Sequence, residues 1–114
     1  MPSAVRVVLL LMVRNEARII QRCLEATASD VDAVLLADTG SEDDTVALAE
    51  ACCARLEKPL CVVHHAWSDF GHNRTLAFEA AVAYARSLGW DLDASWAFAQ
   101  DPDMVWQPKK PVKT

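Results

Sequence analysis

The sequence predicts an α/β fold with a mostly parallel four-stranded sheet between layers of helix. Strand-like apolar runs alternate along the chain with segments of helical periodicity, which is typical of a parallel sheet with helices on its faces. Two runs end abruptly in polar residues, in the segments VVLLLMVRNE and VLLADTGSEDDT, and a weaker run ends in QDPDM. Buried parallel strands end in this way, and open α/β sheets bind ligands at the carboxyl ends of their strands.

The first strand and the first helix are predicted at residues 5–13 and 16–27. The strand is β-branched and leucine-rich. In the helix, apolar or small side chains recur at i, i+3, i+4 and i+7, which predicts one buried face. That face comprises Ile20, Cys23, Leu24 and Thr27.

The second strand is predicted at residues 31–37. Gly40 then allows a tight turn, and Ser41 is a predicted N-cap with Asp44 three residues on. The helix that follows runs to about residue 56, and its expected stacked face comprises Leu48, Cys52 and Leu56.

The last part of the chain predicts a strand, a loop, a helix and a strand. The strands are residues 60–64 and 95–100, and the helix spans residues 72–88 with Gly89 as its C′ residue. Its expected buried face comprises Ala77, Ala81, Tyr84 and Leu88. The order is therefore β-α-β-α-β-α-β with right-handed crossovers, and no linker suggests a second folded domain.

Composition limits the classes of function. The chain has 114 residues and a formal net charge of −5, so nucleic acid is not an expected partner. No run approaches the ~18 apolar residues of a membrane span. The four cysteines include no C-x-x-C pair, and we interpret them as small core residues of a cytoplasmic protein rather than as disulfides.

Four motifs in order resemble a known family: RNE, ADTGSEDDT, WSDFGHNRTLAFEA and a final D-x-D. Together they resemble the nucleotide-sugar-binding half of the family-2 glycosyltransferases, which have the GT-A fold, and especially the branch that builds bacterial lipopolysaccharide core and similar glycans. The resemblance covers residues 5–104. It implies a Rossmann-like three-layer sandwich, with a nucleotide-sugar-binding domain at residues 1–104 and a polar basic tail at residues 105–114.

Asp38 ends the second predicted strand. The resemblance implies that it binds the uracil-like edge of a nucleotide base, because a carboxylate accepts a hydrogen bond from a ring N–H and rejects a base without one. The expected donor is therefore a UDP-linked sugar. The alternative is that Asp38 forms an Asx-turn or assists the Ser41 cap.

Val13, Asn15 and Glu16 form the turn after the first strand. In the family that this chain resembles, the turn surrounds the base and ribose through backbone groups and the glutamate. The alternative for Asn15 is that it caps the first helix, a position that asparagine favours.

Asn73 and Arg74 belong to the F-G-H-N-R segment. The resemblance implies that both residues bind the nucleotide, with Arg74 near the base and phosphates, where guanidinium can form a fork with phosphate oxygens. Because Arg74 lies in the first turn of a predicted helix, the helix dipole does not favour it. The alternative is a solvated surface arginine.

Asp101 and Asp103 form the D-x-D. The resemblance implies that Asp101 contacts the ribose and that both carboxylates hold a divalent metal, Mn²⁺ or Mg²⁺, which prefers oxygen ligands and bridges to phosphates. Pro102 between them departs from the small residue usual in the family. It holds Asp101 extended but removes a backbone donor.

The acceptor-binding half of a family-2 enzyme follows the D-x-D and carries the catalytic base. Residues 104–114 contain no carboxylate, histidine or cysteine, so no catalytic residue is assigned. The expectation is a truncated or split glycosyltransferase that transfers a sugar to a glycan or lipid-linked acceptor, with a homo-oligomer or a partner chain supplying the missing half. The alternative is a non-catalytic nucleotide-sugar-binding or regulatory remnant.

Two further interpretations concern polar residues near the strand ends. A haloacid-dehalogenase-type phosphatase also has an aspartate at a strand end, but it needs a second aspartate two residues later, where this chain has Gly40. His64 and His65 end the third strand with side chains on opposite faces, so they are expected to be structural.

Overall fold

The computed structural model describes residues 5–100, which fold around one four-stranded sheet. In chain order the strands are β1 (Arg6–Val13), β2 (Ala33–Asp38), β3 (Leu60–His64) and β4 (Ser95–Gln100). All of them pair in parallel, in the spatial order β3-β2-β1-β4. The predicted parallel sheet is confirmed, and β3 and β4 have the bounds that the sequence predicts.

Three helices cover the two faces of the sheet. They are α1 (Ile20–Thr27), α2 (Thr45–Arg55) and α3 (Phe70–Ser87), and single 3-10 turns lie at Ala28–Asp30 and Leu92–Ala94. Helices α1 and α2 pack in the apolar cluster on one face, whereas α3 packs in a second cluster on the other. The protein is therefore a three-layer α/β sandwich of the Rossmann-like type, as predicted.

The centre of the sheet is buried on both faces. All six residues of β2 are buried, and β1 is buried over most of its length. Alternate residues of β1 serve opposite clusters, since Leu9 and Leu11 pack with α1 and α2 while Leu10 packs with α3. This explains why both strands are continuous apolar runs rather than alternating ones.

The buried face of α1 agrees with the prediction, but all three helices begin elsewhere than expected, α3 at Phe70 instead of residue 72. Helix α1 begins at Ile20 instead of residue 16. Helix α2 begins at Thr45, so Ser41 is not its N-cap. Instead the Asp43 carboxylate accepts hydrogen bonds from the Thr45 backbone N–H at 3.0 Å and from the Thr45 hydroxyl. The Ser41 hydroxyl is used by the turn after β1, as described below.

The end of α3 follows the prediction, and its predicted buried face is confirmed at Ala77 and Ala81 but not at Leu88. Gly89 has a φ of +77°, and it donates to Arg86 O while Trp90 donates to Ala85 O. This is a Schellman motif with glycine at C′. The buried face comprises Asn73, Ala77, Ala81 and Ala85. Leu88 was predicted on that face but is 40% exposed. The buried residues of α3 recur at every fourth position, and Leu88 does not fall in that series.

The cysteines of the described chain are free thiols. Cys23, Cys52 and Cys53 are buried and Cys61 is half-buried, in agreement with their prediction as core residues. Burial raises the pKa of the Cys53 thiol to about 11, so this group is uncharged at neutral pH. Among residues 5–100, no helix is long and apolar enough to cross a membrane.

Candidate functional site

The carboxyl ends of the four strands meet at one edge of the sheet. Val13 of β1 is in register with Asp38 of β2, and Asp38 is in register with His64 of β3. On the other side of β1, Leu11 is in register with Gln100 of β4. The chain fills the sheet outward from β1 to β3 and then crosses back to place β4 beside β1. This reversal between β1 and β4 is a topological switch point, where open α/β sheets bind ligands.

Asp38 is nearly buried at this edge, with 6% of its side chain exposed. Its Oδ2 accepts hydrogen bonds from Gly40 N at 3.3 Å and from Ser41 N at 3.2 Å, and its Oδ1 accepts from Ser41 N at 3.3 Å. The bond to Gly40 closes an Asx-turn, which is the structural alternative considered for this residue. Gly40 has a φ of +119°, a conformation that suits glycine.

The environment of Asp38 keeps its carboxylate ionised. Burial alone would raise the pKa of Asp38, but the hydrogen bonds from Ser41, Gly40 and His64 together outweigh it, so the pKa lies below its usual value. An ionised carboxylate is an acceptor only, with about four lone-pair sites. Asp38 can therefore accept one further hydrogen bond from a ligand while it keeps the hydrogen bonds of the turn.

His64 was predicted to be structural, and it lies beside Asp38. Its Nδ1 is 3.4 Å from Asp38 Oδ2, and 68% of its side chain is exposed. The sequence signal that could have revealed it is positional: both residues end adjacent strands and share one register position. Because the order of the strands is a tertiary property, the local pattern alone did not place them together.

The turn after β1 is bound to the turn after β2 by a group of hydrogen bonds. Asn15 N donates to Ser41 Oγ at 2.9 Å, and Asn15 Oδ1 accepts from Glu42 N at 2.7 Å. Glu16 N donates to Thr45 Oγ1 at 2.8 Å. Asn15 adopts a φ of +54°, a left-handed conformation in which asparagine is enriched. Asn15 therefore joins two turns and does not cap α1, which corrects the capping alternative.

The backbone carbonyl of Val13 is engaged by hydrogen bonds within the protein. The Val13 oxygen accepts from Thr39 N at 2.9 Å and from Thr39 Oγ1 at 3.0 Å. Both lone pairs of this carbonyl are thereby used inside the protein. The contact of Val13 with a nucleotide stays a prediction.

Asn73 is fully buried and holds the segment before α3. Its Oδ1 accepts from Ser68 N at 2.8 Å, and its Nδ2 donates to Ala66 O at 3.0 Å. Asp69 caps the helix by accepting from His72 N at 2.8 Å. The structure thus gives Asn73 a role in positioning the loop, and its predicted contact with nucleotide is untested.

Arg74 lies one residue further along α3 and is exposed. Its guanidinium carbon is 5.5 Å from the centroid of the Phe70 ring, a cation–π distance. Arg74 and Phe70 line an open cavity of about 220 Å³ at the switch point, together with residues of β1, β4 and α3. The other lining residues are Leu10, Met12, Ala77, Ala99 and Gln100.

Two groups of predicted residues thus stand at one sheet edge. The first group, Val13, Asn15, Glu16 and Asp38, lies at the ends of β1 and β2. The second, Asn73 and Arg74, lies at the start of α3. A sequence model described as "Glycosyl transferase family 2" matches residues 9–110, which include both groups.

The chain belongs to glycosyl transferase family 2. The match covers the whole parallel sheet apart from the first three residues of β1. A TPR repeat-containing protein of Synechococcus elongatus is 38% identical to this chain over 77 residues, which are 67% of this chain and 18% of that protein. The chain thus spans less than a fifth of the length of this curated relative.

The metal ligands predicted for this family-2 chain, Asp101 and Asp103, lie outside the described residues, as do Pro102 and the basic tail. Within residues 5–100, no group of three histidine, cysteine, aspartate or glutamate side chains is placed to hold a metal ion. Gln100 ends β4 beside β1, so the D-x-D follows directly from the switch point in sequence.

Proposed function

We propose that this family-2 glycosyltransferase chain binds the nucleotide part of a nucleotide-diphosphate sugar at the carboxyl edge of its sheet. The observation that carries the proposal is Asp38, a nearly buried, ionised carboxylate at the end of β2 that is held by the backbone N–H groups of Gly40 and Ser41, with His64 Nδ1 at 3.4 Å. A base with a ring N–H satisfies such an acceptor, whereas a base that presents an acceptor there leaves both groups unpaired. Uracil and guanine both have a ring N–H and adenine does not; of the first two, the family resemblance favours uracil, so UDP-linked sugars are the proposed donors.

Arg74 is the proposed partner of the phosphates. It is exposed, it lines the cavity at the switch point, and its stacking on Phe70 limits the positions that its guanidinium can take. A guanidinium can donate two parallel hydrogen bonds to phosphate oxygens. Asn73 supports this arrangement indirectly, since its two amide bonds fix the loop from which α3 begins.

Asp101 and Asp103 are the proposed ligands of Mg²⁺ or Mn²⁺, with Asp101 also reaching the ribose. Carboxylate oxygens at the end of a strand are the type of ligand that these ions prefer. When bound, the ion would offset the negative charge of the diphosphate leaving group. UDP affinity should then rise on addition of Mn²⁺, and Asp103→Asn should abolish that gain.

We further propose that the reaction is sugar transfer to a glycan or lipid-linked acceptor, in the manner of the branch that builds lipopolysaccharide core. Residues 104–114 contain no carboxylate, histidine or cysteine, so no general base for the acceptor is assigned in that segment. The second candidate function is nucleotide-sugar binding without turnover, and the same observation supports it.

The proposed function is tested by calorimetric titration of UDP, ADP and GDP into the wild-type chain with Mn²⁺ present. UDP should bind most tightly. The variant Asp38→Asn is the matched control, because it keeps the size of the side chain and removes its charge. It should lose about 1–3 kcal/mol of UDP binding free energy and most of the preference among bases. Equal affinity for the three nucleotides would contradict the proposal.

A further inference from the structure

His64 and Asp38 form a side-chain pair at the ends of adjacent strands. They are register partners of β3 and β2, so both side chains lie on the same face of the sheet. Asp38 is 6% exposed whereas His64 is 68% exposed, and the two side chains approach to 3.4 Å between Nδ1 and Oδ2. The pair therefore connects a nearly buried acceptor to the solvent-facing rim of the edge.

The donors around Asp38 are distributed unequally between its two oxygens. His64 Nδ1 and Gly40 N both approach Oδ2. Ser41 N is shared between Oδ2 at 3.2 Å and Oδ1 at 3.3 Å. Since the imidazole and Gly40 occupy Oδ2, the oxygen left to accept from a ligand is Oδ1.

Because the His64 ring is exposed, we expect it to orient Asp38 without contributing much to the stability of the fold. A polar or charged contact with one solvent-exposed partner contributes little to folding. Without His64, the Asp38 carboxylate keeps its backbone donors in the Asx-turn, so the turn itself should persist. What is lost is the donor that restrains Oδ2 from the β3 side.

We propose that His64 is a positioning residue for base recognition, whose Nδ1–H holds Oδ2 of Asp38 so that Oδ1 faces the ring N–H of the bound base. This inference rests on the proposed function, because it assigns Asp38 to the base. His64, at the end of β3, acts on the ligand through Asp38.

The test compares UDP affinity among wild type, His64→Ala, His64→Asn and His64→Gln. Asparagine places an amide N–H near the position of Nδ1, whereas glutamine places it near that of Nε2. We expect His64→Ala and His64→Gln to lose about 3- to 10-fold in UDP affinity, the range of one hydrogen bond. His64→Asn should restore affinity to near that of wild type, and all four proteins should unfold at similar urea concentrations.

A second readout does not depend on nucleotide. Long-range ¹H–¹⁵N spectra of the imidazole report which nitrogen carries the proton. Wild type should show the Nδ1–H form of His64, and Asp38→Ala should shift the ring toward the Nε2–H form that free histidine favours. An unchanged tautomer would overturn the proposal.

The outcomes separate this inference from the proposed function. Failure of wild type to bind UDP would overturn both, even with the expected tautomer present. UDP binding by wild type that weakens in Asp38→Asn but not in His64→Ala would overturn only the role of His64. Equal losses in His64→Ala and His64→Asn would also overturn it, because a donor at the Nδ1 position would then not be what matters.

Discussion

Asn15 Oδ1 accepts a hydrogen bond of 2.7 Å from the backbone N–H of Glu42, 27 residues further along the chain. Together with the bond from Asn15 N to Ser41 Oγ, this hydrogen bond joins the turns that follow β1 and β2 into one hydrogen-bonded unit. Asp38 lies at the base of this unit and is bonded to Ser41 as well. The proposed base-binding carboxylate is therefore positioned by contacts between two turns that are distant in sequence.

Substitutions of Asn15 should separate its conformational role from its hydrogen bond. Asn15→Gly keeps the left-handed φ of +54° accessible and removes the side-chain bond to Glu42, at the added cost of a more flexible unfolded chain. It should cost about 0.5–1.5 kcal/mol of unfolding free energy. Asn15→Ala also forces an L-residue into the left-handed region and should cost about 1 kcal/mol more. Urea unfolding of both variants measures the difference, and equal costs would show that the conformation of Asn15 is unimportant.

Replacement of Asn73 should destabilise the fold more than replacement of its exposed neighbours. Asn73→Ala removes a fully buried side chain and with it the two hydrogen bonds to Ser68 N and Ala66 O, which should cost about 1–3 kcal/mol. The control is Thr75→Ala, which removes a hydroxyl bond to Gly71 O on the exposed side of the same helix. Thermal unfolding should show a large fall for Asn73→Ala and a small one for Thr75→Ala. Similar falls would argue against the loop-positioning role.

Acidification should remove the stabilisation that Asp38 provides. Because the folded-state pKa of Asp38 is lowered by its hydrogen bonds, this contribution is present above about pH 4, the unfolded value, and is lost as pH falls through the folded pKa. The difference in unfolding free energy between wild type and Asp38→Asn should therefore be constant from pH 7 to pH 5 and should shrink below pH 4. A difference that stays constant down to pH 3 would contradict this reading of Asp38.

The surface beside β4 should promote association. In the described part of the chain β4 pairs only with β1, and its sequence contains no charge or proline that would block edge pairing. An apolar cavity of about 140 Å³ between β4 and α3 is lined by residues that include Phe78, 52% exposed, and Leu92, 38% exposed. We expect light scattering to show self-association of the isolated chain.

The matched variants distinguish this surface from general apolar exposure. Phe78→Ser should weaken self-association, because it removes apolar area beside the cavity. Leu88→Ser is the control, since Leu88 is 40% exposed but does not line that cavity. A monomeric wild type at all concentrations, or equal effects of the two variants, would contradict the prediction.

Local patterns predicted most of the fold and part of the site. The apolar runs of β1 and β2 and the spacing on α1 depend on burial, which leaves a periodic signal in the sequence. The strand-end position of Asp38 was readable for the same reason. The prediction that Ser41 caps α2 is wrong because its hydroxyl accepts from Asn15 N instead, and the capping alternative for Asn15 is wrong because its partners are in another turn. The contact of His64 with Asp38 depends on strand order, which the local pattern does not contain.

The central claim is that the carboxyl edge of this sheet binds the uracil nucleotide, and amide NMR tests it most directly. UDP titrated into ¹⁵N-labelled protein with Mn²⁺ replaced by diamagnetic Mg²⁺ should shift the backbone amides of Gly40 and Ser41, which donate to Asp38. Amides around Leu92, at the opposite end of β4, should not move. Saturable shifts at Gly40 and Ser41 that disappear in Asp38→Asn are the predicted result. Binding that leaves these two amides unchanged, or the absence of any shift at millimolar UDP, would contradict the claim.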